Sequence, residues 1–371
     1  MLKNRATPEG TLAYARRHAD LPGNFRPMLG ELSVSSVGIG TYLGEADEET
    51  DEAYAQSIKA ALLGGINLID TAVNYRFQRG ERTIGKALGE LIAAGELRRE
   101  EVVIATKGGY VTFDGAMPAN PRAWFEDNFI KNGLVAHADL VDGSHCMTPS
   151  YLGAMLEMSR SNLGLDTIDI YYIHNPETQL ASVERPEFLE RMRRAFEFLE
   201  RQVADGKIGV YGTATWNGYR LSADESQYLP MADLVNIAFE IAGRDHHFRA
   251  IQLPFNLAMP EALTLANQQL PDRRGTALRA AVGFGIAVCA SASLLQGRLA
   301  RGLPPIMAQA FEGLTTDAQR ATQFVRSAPG INVALVGMKS KEHVNEILQA
   351  LHNPPASIEA FSKLFTPNKS A

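Results

Sequence analysis

Short apolar runs rich in β-branched residues alternate with amphipathic stretches along most of this chain. The amphipathic stretches repeat their apolar residues with helical spacing, as Ile84, Leu88, Leu91 and Ile92 do. Alternation of strands with helices is typical of α/β proteins, in which parallel strands lie inside and helices cover them. We therefore predict an α/β fold.

Eight of the apolar runs have the length and composition of buried strands. In chain order they are SVGIG near residue 36, INLID ending at 70, VVIAT ending at 106, TIDIYYI ending at 173, KIGVYG near 210, RAIQLPF near 252, IAVCAS near 288 and INVALVG near 334. Eight repeats predict a closed (β/α)8 TIM barrel. The stretch FRPMLGELSV ahead of them predicts a β-hairpin that closes one barrel end. Residues 1–24 would form an N-terminal extension, and residues 25–371 a single barrel domain.

Two connections are longer than a strand–helix unit requires, namely residues 108–149 after the third strand and 216–248 after the fifth. In a barrel of this kind, the loops that follow the strand C-termini build the active-site face. The first insertion is rich in apolar and aromatic residues, with the stretch AWFEDNFI at its centre and His145-Cys146 near its end. We expect this insertion to form a wall of the substrate pocket.

Polar residues stand at or just beyond the ends of three consecutive predicted strands: Asp70, Tyr75, Lys107 and His174. A lysine that directly follows a buried strand needs a carboxylate partner, and Asp70 is the natural candidate. A phenol beside that ammonium group would have its ionised form stabilised, so we expect the pKa of Tyr75 to lie below its usual value of about 10.

This grouping suits reduction of a carbonyl, because the developing alkoxide needs a proton donor and a group that orients the oxygen. We expect Tyr75 to donate the proton and His174 to orient the carbonyl. Taken singly, each residue of the group also has a structural explanation, as a helix cap, a rim aromatic, a strand-end lysine or a turn histidine. Their coincidence at strand ends favours the catalytic interpretation.

Composition narrows the function further. The chain has 371 residues, 45% of them hydrophobic, and a formal net charge of −6, so it offers no basic surface for nucleic acid. Cys146 and Cys289 have neither paired spacing nor a CxxC arrangement, and the adjacent His246 and His247 would point apart, so we predict no disulfide framework and no metal site. With no export signal and no apolar run long enough to span a membrane, we expect a cytoplasmic protein.

The motifs VGIGTY, INLIDTAVNY, GERTIGKAL, IATKGG, SNLGLDTIDIYYIHNP and GKIGVYG resemble those of the aldo-keto reductase superfamily, over roughly residues 25–350. The resemblance implies a (β/α)8 barrel that binds NAD(P)H across its C-terminal face. It also implies that Asp70, Tyr75, Lys107 and His174 form the catalytic tetrad. By contrast, Gly38, Gly40 and Gly44 only superficially match a Rossmann fingerprint, because Gly44 is followed by the acidic run EADEETDE and the acidic residue of the fingerprint belongs at the end of the next strand.

The same resemblance implies a set of cofactor-binding residues at matching positions. They are Gly40, Thr41, Tyr42, Asp70, Thr215, Gln252, Ser291, Gln296, Gly297, Arg298, Gly337, Lys339, Ser340, His343 and Glu346. Gln252 matches the glutamine that holds the nicotinamide carboxamide. Lys339, Ser340 and His343 are candidates for a 2′-phosphate, which favours NADP(H) over NAD(H).

Three departures from the family pattern keep a second function open. Ala214-Thr215 stands where the family usually has Ser-Asn, Ser291 replaces the aromatic residue that stacks on nicotinamide, and Ile347 replaces an asparagine. One hypothesis is an oxidoreductase that interconverts a small aldehyde or ketone and its alcohol. The other is a cofactor-binding or cofactor-sensing subunit with little turnover. The substrate, the direction and the oligomeric state stay open.

Overall fold

A closed parallel barrel forms the centre of the structure, a computed structural model that describes residues 1–365. The strands are, in chain order, β1 (Phe25–Met28), β2 (Leu32–Ser35), β3 (Val37–Gly40), β4 (Leu68–Asp70), β5 (Val103–Gly108), β6 (Ile168–His174), β7 (Ile208–Ala214), β8 (Phe248–Pro254), β9 (Gln268–Gln269), β10 (Arg274–Gly275), β11 (Ala287–Ser291) and β12 (Val333–Gly337). The barrel order is β11-β12-β3-β4-β5-β6-β7-β8. The (β/α)8 TIM-barrel prediction is confirmed, and so is each of its eight strands.

Helices surround the barrel and separate its strands in sequence. They are α1 (Pro8–Arg17), α2 (Glu48–Leu63), α3 (Arg79–Ala93), α4 (Pro121–Phe125), α5 (Pro149–Leu163), α6 (Arg185–Ala204), α7 (Met231–Ala242), α8 (Glu261–Thr264), α9 (Ala277–Gly283), α10 (Ile306–Ala310), α11 (Asp317–Ser327), α12 (Lys341–Leu351) and α13 (Ile358–Ser362). The apolar face predicted from residue 84 onward is real, since Ile84, Leu88 and Leu91 are buried in the core. Among residues 1–365, no helix combines the length and apolar character needed to cross a membrane.

The predicted hairpin closes one end of the barrel. Strands β1 and β2 pair antiparallel, with Met28 opposite Leu32. Met28, Leu32 and Val34 are buried in one cluster with barrel residues such as Leu68 and Val103. Because these contacts involve the first residues of β4 and β5, the hairpin covers the N-terminal end and leaves the C-terminal end for a site.

The segment before the hairpin is attached to the barrel by several contacts. The Tyr14 hydroxyl on α1 is buried and donates to the main-chain oxygen of Leu62 at 2.6 Å. Arg17 pairs with Glu101 at 2.7 Å. The division into an extension at 1–24 and one domain at 25–371 stays a prediction, although these contacts show residues 1–24 packed on the rest of the chain.

The first insertion folds back on itself beside β5. Helix α4 continues as a π turn over Glu126–Ile130, and Phe125 and Phe129 pack with Tyr151 in a separate apolar cluster. Both ends of the insertion meet, because Cys146 N–H donates to the Gly109 oxygen at 2.8 Å. In the second long segment, α7 occupies residues 231–242 as the helix after β7, so its irregular part is shorter than 216–248 suggests.

Candidate active site

A cavity of about 930 Å³ opens at the C-terminal end of the barrel. Its wall includes Gly40, Asp70, Ala214 and Gly337, each the last residue of its strand. This is the end at which barrel enzymes of this architecture place their active sites. Tyr75 and His174 line the same cavity, so the structure brings together the strand-end residues that the sequence groups.

Lys107 forms a buried ion pair with Asp70 beneath this cavity. Its ammonium lies 2.7 Å from Asp70 Oδ2 and donates a second hydrogen bond to the Thr71 main-chain oxygen at 2.6 Å. Burial lowers the pKa of Lys107, but Asp70 and Tyr75 raise it more, so the net change is upward. Lys107 therefore stays charged over the physiological range, as the sequence argument requires.

Tyr75 lies above this ion pair with its hydroxyl 3.5 Å from Lys107 Nζ. The ammonium also faces the tyrosine ring, at 4.9 Å from its centroid. The expected lowering of the Tyr75 pKa is wrong for the free protein. Burial raises this pKa, and the opposing effect of Lys107 is smaller, so the net pKa lies above the usual value. Desolvation of the phenolate outweighs its attraction to the ammonium, and Tyr75 keeps its proton.

The backbone after Tyr75 takes an unusual turn before α3 begins. Arg76, Phe77 and Gln78 all have positive φ, at 48°, 55° and 73°. Left-handed conformations are unfavourable for residues other than glycine, and they persist only where surrounding contacts determine them. Part of that support is visible, since Arg76 pairs with Asp51 at 2.5 Å. This turn fixes where the chain leaves Tyr75.

His174 stands at the end of β6 with its ring near two tyrosines. The ring centroids are 5.9 Å from Tyr75 and 5.0 Å from Tyr110, both edge to face. Burial lowers the His174 pKa well below its usual value, and the charge of Lys107 adds to this effect. The imidazole is therefore neutral at physiological pH, with one N–H to donate.

Gln252 on β8 contacts Asp70, one of the predicted catalytic residues. Its Nε2 donates to Asp70 Oδ1 at 2.7 Å, while Lys107 occupies the other carboxylate oxygen. The Thr215 main-chain N–H, in turn, donates to the Gln252 main-chain oxygen at 2.8 Å. The residue that the family pattern assigns to the carboxamide is thus also a partner of Asp70.

Most of the predicted cofactor residues line this one cavity. They are Gly40, Tyr42, Asp70, Thr215, Gln252, Ser291, Gln296, Gly297, Arg298, Gly337, Lys339, His343 and Glu346. Two predicted residues do not line it. Thr41 is buried and bonds to the Thr71 hydroxyl at 2.9 Å, and Ser340 caps α12 by accepting from the His343 N–H at 3.4 Å. The cofactor roles of the whole set stay predictions.

The chemistry of one cavity end suits a phosphorylated dinucleotide. Leu295, Gln296 and Gly297 form a turn with positive φ values of 46°, 54° and 83°, and Arg298 follows it. Turns that present successive backbone N–H groups bind anions. Lys339 lines the cavity just before the N-terminus of α12, where the helix dipole also favours a phosphate. Cations, a backbone turn and a helix start thus fit a polyanionic cofactor.

Sequence reasoning missed several residues around the tetrad. Tyr110, Asn74 and Asn175 line the cavity, and Asn175 Nδ2 donates to the Tyr110 hydroxyl at 3.2 Å. Position just beyond a strand end was the available signal, since Tyr110 follows β5 and Asn175 follows β6. Tyr42, which is one of the predicted cofactor residues, and Trp216 line the cavity as well. They are 57% and 45% exposed, so aromatic faces are available although Ser291 offers none.

Within residues 1–365, no cluster of three or more His, Cys, Asp or Glu side chains is placed to hold a metal ion. The predicted absence of a metal site stays a prediction. Of the two histidines considered for one, His247 pairs instead with Glu200, at 2.7 Å.

Comparison with known sequences places this site in context. The sequence profile of the Aldo/keto reductase family matches residues 36–237. The chain is 27% identical to 6-dehydroglucose reductase of Novosphingobium aromaticivorans over 208 residues, 55% of each chain. It is 28% identical to the NADH-specific methylglyoxal reductase of Escherichia coli, over 50% of this chain and 49% of the relative. The same identity relates it to a putative voltage-gated potassium channel subunit beta of Schizosaccharomyces pombe, over 51% and 44%. The chain thus spans about half the length of these curated relatives.

Solved structures match nearly the whole chain. A Klebsiella pneumoniae aldo/keto reductase in complex with NADP and acetate superposes with a TM-score of 0.60 at 22% identity, over 91% of this chain and 94% of that one. A glycerol dehydrogenase from Gluconobacter oxydans gives a TM-score of 0.62 at 20% identity, over 94% and 98%. At these identities the likeness establishes the fold.

Proposed function

This chain belongs to the aldo/keto reductase family, and we propose that it is an NAD(P)H-dependent oxidoreductase that reduces an aldehyde or ketone to an alcohol, or catalyses the reverse reaction. One observation carries the proposal. The Tyr75 hydroxyl lies 3.5 Å from the ammonium of a buried Lys107–Asp70 pair, and Tyr75 and His174 face one cavity. This arrangement supplies a proton donor and an orienting group at a single point.

Tyr75 is the proposed general acid in the reducing direction. Its raised pKa keeps the phenol protonated, so the proton is present when a carbonyl oxygen arrives. Once the proton leaves, the phenolate faces the Lys107 ammonium, whose positive charge Asp70 and the Thr71 oxygen hold in place. In the reverse direction the phenolate accepts a proton from the alcohol, and the Lys107 ammonium stabilises this phenolate.

His174 is proposed to orient the substrate oxygen. Its pKa lies far below the usual value, so the ring donates as a neutral imidazole and does not compete with Tyr75 as an acid. Its Nδ1 is buried without a hydrogen-bond partner among the described residues. Since His174 lines the cavity, Nε2 is the nitrogen that we assign to the substrate.

The predicted cofactor residues that line the cavity are proposed to hold the cofactor. A bound nicotinamide dinucleotide would supply the hydride. Arg298 and the turn before it would bind the pyrophosphate, and Gln252 the carboxamide. Lys339 and His343 line the wall where a 2′-phosphate would reach the start of α12, so we propose NADP(H) over NAD(H).

The test is turnover by the full chain. Purified protein is mixed with NADPH or NADH and a panel of carbonyls, and loss of the reduced nicotinamide is followed by absorbance. Names of the relatives suggest the panel, which includes methylglyoxal and oxidised sugars such as 6-dehydroglucose. We expect turnover that Tyr75→Phe abolishes while cofactor binding remains. Turnover retained in Tyr75→Phe would remove Tyr75 as the acid.

A cofactor-binding subunit with little turnover is the alternative. The changed positions Thr215, Ser291 and Ile347 all line the cavity, and one relative is named as a channel subunit. The same measurement separates the two functions. Tight cofactor binding with no turnover across the panel would favour the subunit.

A further inference from the structure

His145 is a buried histidine of the first insertion that the proposed mechanism does not use. It is 0% exposed, and its Nε2 lies 2.7 Å from the main-chain oxygen of His174. Its Nδ1 lies 2.8 Å from Gln179 Nε2. A carbonyl oxygen only accepts and an amide nitrogen only donates, so these partners require the tautomer with the proton on Nε2.

The orientation of Gln179 is itself fixed from α6. Arg191 donates to Gln179 Oε1 at 2.5 Å and also pairs with Glu187 at 2.9 Å. The amide nitrogen of Gln179 must therefore face His145. A chain of directed hydrogen bonds runs from Arg191 through Gln179 and His145 to the backbone of His174.

His145 is neutral throughout the physiological range. Burial lowers its pKa to about 4, and its hydrogen bond to the His174 oxygen opposes this only in part. A neutral ring with both nitrogens bonded to protein groups has no proton to exchange with substrate. Its effect on the reaction must therefore be geometrical.

Tyr110 packs against both histidines. Its ring centroid lies 5.0 Å from that of His145 and 5.0 Å from that of His174, nearly perpendicular to each. The insertion also approaches His174 through Gly109, where an added Cβ would lie 2.9 Å from the His174 oxygen and 3.1 Å from His145 Nε2. The insertion thus contacts the end of β6 through Gly109, Tyr110 and His145.

His174 needs this enclosure because its own ring lacks the usual anchor. A histidine that acts on substrate is commonly oriented by a hydrogen bond to its other ring nitrogen. Here His174 Nδ1 is buried and has no such partner within residues 1–365. The ring is held instead by the edge-to-face packing of Tyr110 and Tyr75, and the backbone that carries it is held by the His145 hydrogen bond to its main-chain oxygen.

We propose that His145 is a positioning residue for the reaction, which holds the His174 backbone and the Tyr110 ring so that His174 presents one nitrogen to the carbonyl. This inference rests on the proposed function for its kinetic consequence, but not for its structural one. The insertion would then do more than form a wall, because it would set the geometry of the tetrad.

The first test compares His145→Leu with His145→Gln in the full chain. A glutamine amide can replace the Nε2 donor, whereas leucine cannot. We expect His145→Leu to lower kcat by roughly 10- to 100-fold, the range that misplacement of a catalytic group causes, with the cofactor Kd within about twofold of wild type. His145→Gln should restore kcat to within about threefold of wild type. His137→Leu, at an exposed histidine of the same insertion, is the matched control and should leave kcat and the cofactor Kd at their wild-type values.

The second test does not require turnover. Nitrogen-15 NMR of the imidazoles, with the His174 signal assigned by its loss in His174→Asn, reports the tautomer and mobility of that ring. We expect one tautomer in wild type and His145→Gln, and averaged or doubled signals in His145→Leu. If His145→Leu does not fold, Gln179→Met removes the donor to His145 Nδ1 and should broaden the same signal.

The outcomes separate this inference from the proposed function. Unchanged His174 signals in folded His145→Leu, or in Gln179→Met where the leucine variant fails, would overturn the positioning role. Unchanged kcat in an active His145→Leu would do the same. Wild-type protein without turnover would instead remove the proposed oxidoreductase, while the NMR result would still decide whether His145 orders His174.

Discussion

Gln252 donates a hydrogen bond to Asp70 Oδ1 at 2.7 Å, across 182 positions of sequence. The second oxygen of that carboxylate is held by Lys107, also at 2.7 Å. Gln252, which is expected to bind the cofactor, is therefore in direct contact with Asp70, which keeps Lys107 charged. If the proposed roles of these residues hold, we predict that cofactor binding and proton transfer are linked at Asp70.

Gln252→Leu should weaken both cofactor binding and proton transfer. It removes a donor to an ionised acceptor, a loss of about 1.5–3 kcal/mol, so we expect kcat/KM to fall roughly 10- to 100-fold. A carboxamide contact predicts that the cofactor Kd rises as well, whereas support of Asp70 alone predicts a fall in kcat at constant Kd. Steady-state rates and cofactor titration measure both, with Gln309→Leu on exposed α10 as control. Wild-type values for both quantities would contradict the link.

The pH dependence should differ between the two directions. Tyr75 has a raised pKa, so it is protonated below its usual value of about 10 and reduction should not lose rate from Tyr75 across pH 6 to 9. Alcohol oxidation needs the phenolate, so its rate should rise by up to about tenfold per pH unit over the same range. Rates measured in both directions with one substrate pair test this. A reduction rate that falls tenfold between about pH 7 and 8 would show that the pKa is lowered instead.

Lys339→Ala should change the choice of cofactor. Loss of a charge-assisted contact to a phosphate costs about 1.5–3 kcal/mol, so the NADPH Kd should rise roughly 10- to 100-fold while the NADH Kd changes little. Lys341→Ala provides a matched control, because Lys341 begins α12 but lines a different surface groove. Fluorescence titration of wild type and both variants with NADPH and NADH gives the six dissociation constants. Equal NADPH affinity in Lys339→Ala and wild type would contradict the assignment.

Asp169→Ala should destabilise the fold. Asp169 on β6 is 4% exposed, pairs with Arg99 at 2.6 Å and accepts the Ala6 and Ile104 N–H groups, both at 2.7 Å. Removing it leaves a buried guanidinium without its carboxylate, so we expect a loss of about 3–5 kcal/mol in the free energy of unfolding. Urea denaturation measures the change. Asp166→Ala, at a partly exposed turn nearby, should stay within about 0.5 kcal/mol of wild type, and a similar value for Asp169→Ala would refute the argument.

The barrel could be predicted from the sequence because the patterns that indicate its strands are short and local. Each strand is a short apolar run, and the side chain at a strand end is fixed by the strand itself, as Asp70 is after INLI. The hairpin could be predicted for the same reason, since its turn residues and its alternation of apolar and polar residues lie within ten residues. Thr41 shows the limit of such reasoning, because it follows a strand end yet turns inward to the Thr71 hydroxyl.

Other features needed the assembled fold. Asn175 and Tyr110 are 65 positions apart in the sequence, and His145 and His174 are 29 positions apart. No short motif therefore predicts either contact. The insertion was recognised by its length, but its closure through Gly109 and Cys146 follows from packing.

The sequence by itself determined the barrel, the strand ends that carry Asp70, Lys107 and His174, and the proximity of a lysine to a carboxylate, because these follow from strand periodicity and from the need to pair a buried charge. Tertiary structure decided the sign of the Tyr75 pKa shift. Residue order shows that an ammonium is near, but only the packed site shows how much water is excluded, and here the desolvation of the phenolate is the larger effect.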